Sequence, residues 1–99
     1  MLFKEFTMPV TGKGNVHVSF IIDTVDDVVK VREIKLRSDF KSSLPHHPRL
    51  VEEKGQWKFY IEKPLLMNNE IDIVPQYLDD DLSMEIIERI LAIKNEEVA

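Results

Sequence analysis

Ninety-nine residues, 43% apolar and 31% charged, fit one globular domain over residues 1–99 with a core of its own. With no cysteine, the chain is excluded from disulfide bonding, thiol nucleophilic catalysis, iron–sulfur clusters and cysteine-based zinc sites, and a reducing, cytoplasmic setting is expected. The net charge of −5 is unevenly spread: residues 1–27 sum to −2, residues 28–58 to +4 and residues 59–99 to −7, setting a basic middle against an acidic end.

The opening stretch "MLFKEFTMPV" is interrupted by Lys4 and Glu5, so it lacks the continuous apolar core of a signal peptide. No apolar run is long enough to span a bilayer. Read as extended chain, Leu2, Phe6 and Met8 share one side, with Lys4 intruding. "TGKG" follows as a turn whose two glycines accept positive φ. In "NVHVSFIID", Val16, Val18, Phe20 and Ile22 point one way and His17, Ser19 and Ile21 the other, the alternation of a half-buried strand. Residues 2–22 therefore read as a hairpin.

"TVDDVVKVREIKLRS" supports two readings. Thr24 with Asp27 three residues later looks like a helix start, with acids first and bases last. At 100° per residue, however, Arg32 falls among Val25, Val28, Val29 and Leu36, while Val31 and Ile34 lie opposite. A strand with one extra residue near Arg32–Glu33 resolves the pattern. Val29, Val31, Ile34 and Leu36 then face the core, and Lys30, Arg32, Lys35 and Arg37 face water. The valine density also favours the strand.

Residues 38–48 read as a loop, and "RLVEEKGQWKFYIEK" as a second hairpin turning at Glu53-Lys54-Gly55 in a three-residue loop with Gly55 left-handed. "PLLMNN" is expected to connect to a short strand, "EIDIV", stopped by Pro75. In "DDDLSMEIIERILAIKNEE", Leu82, Ile86, Ile90 and Ile93 recur at helical spacing, widened by Ile87 and Leu91. About fourteen helical residues are expected, spanning roughly 21 Å, with the tail "NEEVA" frayed. The fold class is α+β: an antiparallel β-meander of five or six strands with a C-terminal amphipathic helix packed on one face. Were residues 25–37 helical, the order would become ββα followed by strands and the final helix.

The most chemically suggestive stretch is "SSLPHHPRL". Leu44 and His47 each precede a proline and are held extended, so the side chains of His46 and His47 diverge and do not readily grip one metal. A stiff loop is expected, with partner recognition its alternative use. The "DDD" at 79–81 lacks the ligand spacing of a calcium loop and suits a helix N-terminus. "TGKGN" is not a phosphate-binding loop, and no serine sits in a nucleophile elbow. No catalytic, cofactor or metal residue is assigned.

The row Lys30, Arg32, Lys35, Arg37 is the remaining signal. Lys58 and Tyr60 are expected to share its exposed face, and His46 and His47 of the proline-bearing loop are candidates for partner recognition. These eight residues are the candidate partner-binding set. Three functions are compatible: a non-catalytic protein-binding module acting through charge-complementary association, a nucleic-acid binder using the basic row, and a small enzyme or metal protein using His17, His46 or His47. The protein-binding module is the favoured expectation. The sequence leaves the oligomeric state open.

Overall fold

The structure, a computed structural model, describes residues 1–98; the last residue of the tail expected to fray, Ala99, lies outside the described residues. Six strands precede one helix: β1 (Leu2–Val10), β2 (Gly14–Val25), β3 (Val28–Ser38), β4 (Arg49–Glu53), β5 (Gln56–Met67), β6 (Glu70–Leu78) and α1 (Asp81–Val98). The class is α+β, as the sequence implies, but the expected single meander is corrected. The strands form two three-stranded antiparallel sheets, β1-β2-β3 and β4-β5-β6. The break falls at the proline-bearing loop, which separates β3 from β4 by ten residues without regular structure. One backbone bond bridges the sheets there, from the Leu36 N–H to the His46 carbonyl at 2.9 Å.

Both sheets are meanders built around a twelve-residue central strand. Three of their hairpins turn on two residues with positive φ, at Asp26–Asp27 (52° and 64°), Lys54–Gly55 (52° and 78°) and Asn68–Asn69 (51° and 64°). This is the mirror-image turn whose twist matches that of the flanking strands. The loop expected over Glu53-Lys54-Gly55 is thus one residue shorter, because Lys54 also enters the left-handed region and Glu53 pairs with Gln56. The stretch 24–27, with its helix-cap pattern, is likewise a strand end and a tight turn. In the first hairpin, Gly12 and Gly14 take φ of 75° and 135°. Gly14 also lies under the loop after β3: a Cβ there would meet the Asp39 Cβ at 3.3 Å.

The extra residue expected near Arg32–Glu33 is present. Ser19 pairs with Lys35 and Ile21 with Arg32, so Glu33 and Ile34 together oppose Phe20, and Glu33 takes a φ of 52°. Past the bulge, Ile34 and Leu36 are buried; before it, Val29 and Val31 pack against the same core. Lys30, Arg32, Lys35 and Arg37 are all exposed on the other face.

Two proline assignments are corrected. β5 runs through Pro64 to Met67, and β6 through Pro75 to Leu78. The turn bond at Asn68–Asn69 makes Met67–Glu70 a hydrogen-bonded pair, and bonded and non-bonded pairs alternate from there. Pro64–Ile73 and Glu62–Pro75 fall on non-bonded positions, whose backbone nitrogens point away from the partner strand. Neither proline costs a ladder bond.

The core joins Met8, Val16, Val18, Phe20, Ile22, Ile34 and Leu36 of the first sheet to Phe59 of the second and to Ile86, Ile87 and Ile90 of α1. α1 lies against β3 and β5, so it stitches the two sheets across their break. Asp80 caps it, accepting from the Ser83 amide at 3.3 Å and from the buried Ser83 hydroxyl at 2.7 Å. The helix has eighteen residues, longer than expected. Lys4, the cation intruding on the inner side of β1, pairs with Glu97 at 2.6 Å and fixes its last turn. Lys94 stands over the half-buried Trp57 ring, 5.0 Å from its centre.

Beyond Ile61 no described residue covers β5 and β6. Every residue from Glu62 to Tyr77 is exposed, and the paired strands project as an arm about 20 Å long. The projection explains an unusual size for 99 residues. The radius of gyration is 14.9 Å, against about 13 Å for a compact chain of this length. The accessible surface is 7157 Å², against about 5,800 Å² expected from mass.

Candidate protein-binding surface

The break between the sheets leaves a cleft of 680 Å³ in which residues 31–35 of β3 face residues 47–51 of the loop and β4. Its walls are the edges of two strands. The Asp26–Asp27 turn sets Val25–Val28 as a bonded pair, so Val29 and Val31 direct N–H and C=O away from β2. The Lys54–Gly55 turn does the same for β4, where Leu50 and Glu52 direct theirs away from β5. Two edges with unpaired backbone groups therefore line one slot, joined at one end by the Leu36–His46 bond. Arg32, Lys35, Arg49 and His47 line it, with Glu33 the one carboxylate.

Of the basic row, Arg32 and Lys35 line the cleft, while Lys30 and Arg37 flank it along β3. Among the described residues, Arg32 alone of the four has a carboxylate at ion-pair distance, Asp23 at 3.2 Å. Lys58 and Tyr60 belong to the second sheet rather than to that of the basic row, and there Tyr60 pairs with Arg49 and lines a neighbouring depression with Arg49 and His47. Both sit on β5, with Lys58 3.9 Å from Asp79 and the Tyr60 hydroxyl donating to Glu62 at 3.2 Å. Partial desolvation, with Glu62 second, raises the Tyr60 pKa above its ordinary 10.0. Arg49, the cross-strand partner of Tyr60, is the further cation that lines the cleft.

His46 and His47 are both exposed and Pro48 beneath them is buried, as suits a stiff loop. His47 lines the cleft, whereas His46 is held through its carbonyl to Leu36. Among the described residues no three His, Asp or Glu side chains group to hold a metal ion.

His17 enters an arrangement that sequence spacing does not reveal. Its Nδ1 lies 3.1 Å from Thr7 Oγ1 and its Nε2 3.0 Å from Asp39 Oδ1. An ionised Asp39 accepts from Nε2–H, and a neutral ring then accepts from the Thr7 hydroxyl. A hydroxyl, an imidazole and a carboxylate in line resemble a nucleophile with its base. Here, though, they sit on an exposed strand face beside a broad, open depression of 570 Å³. Lys35 and Arg37 line the same depression. The arrangement acts as a tether, fastening the loop after β3 to β2 alongside the Asp39 amide's bond to the Asn15 carbonyl at 2.9 Å.

The Asp39 carboxyl is held below its ordinary 3.8, chiefly by the hydrogen bond from His17, with the charges of His17 and Arg37 adding to it against a desolvation that works the other way. Its folded value is depressed, so its stabilisation is fully present above 3.8 and is lost as the pH falls through the lower folded value. Asp39→Asn is expected to lower the urea midpoint at neutral pH and to converge with the parent protein well below pH 3.8. A gap that stays constant across that range would refute the tether.

Comparison of the chain with known protein families, curated proteins and solved structures finds no match. Among the described residues no helix is long and apolar enough to cross a membrane.

Proposed function

We propose that the chain is a non-catalytic protein-binding module that takes up an extended acidic segment of another protein in the cleft between β3 and β4. The observation that carries this reading is the coincidence of two unpaired strand edges with Arg32, Lys35 and Arg49 along one slot. An added strand satisfies the backbone groups of Val31 and Leu50, and its carboxylates meet the cations. Lys30 and Arg37, set further along β3, steer the encounter.

The test titrates a synthetic acidic peptide of extended conformation against the protein. Replacing Arg32, Lys35 and Arg49 together by alanine is expected to weaken binding about ten- to a hundredfold, from roughly 0.5–1 kcal/mol per charge. Replacing Lys30 and Arg37 should slow association and flatten its salt dependence while changing dissociation little. Absence of binding at low salt, or indifference to the triple substitution, would overturn the reading.

One observation favours single-stranded nucleic acid as a second reading. Phe3, 64% exposed, pairs with Ile21, which pairs with Arg32, so an open aromatic ring shares a row with the cations. A single-stranded oligonucleotide that binds more tightly than the peptide, and weakens on Phe3→Ala, would move the assignment there. The peptide should be unaffected by that substitution.

A further inference from the structure

We propose that the β5–β6 arm is a dimerisation element, and that its partner is the same arm of a second copy of this chain. The arm's two faces differ. The cross-strand pairs Leu66–Ile71, Pro64–Ile73, Glu62–Pro75 and Tyr60–Tyr77 share the face opposite the core. Leu66, Ile71 and Ile73 are 74%, 72% and 64% exposed, and the tyrosine rings at the base stand 5.4 Å apart. Glu62 is the one charge on this stripe, and Tyr60 donates to it. The other face carries Lys63, Glu70 and Asp72 beside its apolar residues.

A two-stranded hairpin with no third strand and no covering element is at best marginal in water. Either an edge or a face must therefore be covered. The prolines decide which. Pro64 and Pro75 stand on the two outer edges with their nitrogens outward, so each edge lacks a donor where an added strand would need one. The apolar face remains.

Its occupant follows from area and composition. The chain exposes about 1,300 Å² more than a compact monomer of its mass, which exceeds the roughly 800 Å² per partner of a standard interface. A stripe of aliphatic, proline and tyrosine side chains, with Glu62 its one charge, complements another copy of itself. Two such faces packed tip over base form a closed two-fold sandwich of four strands, and blocked edges stop further growth.

The test is the mass of the native protein in solution by light scattering and sedimentation. Twice the chain mass of 11.6 kDa is expected, falling to a single chain mass on joint Ile71→Asp and Ile73→Asp substitution. Thermal unfolding of the first sheet and helix should persist in that variant, since the arm supplies no core residue. The chain has no cysteine, so Ile73→Cys and Asp72→Cys compare the faces directly. A short bifunctional thiol reagent should join two chains through position 73 and not through 72. A monomer at every concentration, a dimer indifferent to the aspartates, or crosslinking through 72 in preference to 73 would each overturn the proposal.

Discussion

Truncation of Phe59 to alanine is expected to cost about 3–5 kcal/mol and to lower the melting temperature by roughly 15–30 °C. Phe59 is the one fully buried apolar side chain that the second sheet gives to the core. Trp57, Leu50 and Leu78 lie beside it but are only partly covered. The first sheet, by contrast, buries seven side chains and does not depend on any one of them for attachment. Removing the Phe59 ring therefore leaves a cavity at the joint between β5 and α1. For a domain whose whole stability is about 5–15 kcal/mol, that loss is a large fraction. Urea unfolding followed by both tryptophan emission and far-ultraviolet dichroism checks it. Trp57 sits two residues from the lesion, so emission should change at lower urea than dichroism. Coincident transitions close to those of the parent protein would show that the second sheet is held by other means.

Deleting Glu33 is expected to be at least as damaging, with a loss above about 4 kcal/mol or failure to fold. The bulge is the only device that lets both halves of β3 face the core correctly. Without it, a one-residue slip carries either Val29 and Val31 or Ile34 and Leu36 to the solvent face and brings Lys30 and Arg32, or Lys35 and Arg37, inward. Burying unpaired ammonium or guanidinium groups is far costlier than losing the side chain of Glu33 itself, which is exposed. Glu33→Gly separates the two effects. It keeps the residue count and relieves a left-handed φ of 52°, so it should raise stability by about 0.5–1 kcal/mol. If the deletion proved mild, β3 would have to pair with β2 in some other register.

Much of the fold is legible in the residues because it is local. The alternation from Val16 to Ile22, the charge rhythm that needs a bulge at Glu33, and the apolar stripe from Leu82 to Ile93 are all periodicities of one element. The misreadings have two physical sources. Pro64 and Pro75 look like strand breakers because a proline removes a donor. Whether that matters depends on the side of the strand from which the donor is missing, which only the turn at Asn68–Asn69 decides. Asp26–Asp27 and Asn68–Asn69 also lack the glycine that usually announces a mirror-image turn.

The second source is non-local. Lys30, Arg32, Lys35 and Arg37 group along the sequence because one strand carries them. Lys58 and Tyr60 belong to the second sheet, and no pattern along the chain marks the break after β3. Arg49, which the break brings opposite Arg32 and Lys35, could be found only from the loop that folds residues 46–48 back onto Leu36. The Thr7–His17–Asp39 tether is hidden in the same way, since its members come from two strands and a loop.

The bond from Leu36 to His46 acts as a rivet at one end of a slot. With no ladder between β3 and β4, no strand pair spans the far end. The gauge of the opening is thus set by how α1 seats on both sheets. For the acidic strand we propose as partner, the riveted end would fix the direction of entry and the open end would take side chains of differing bulk.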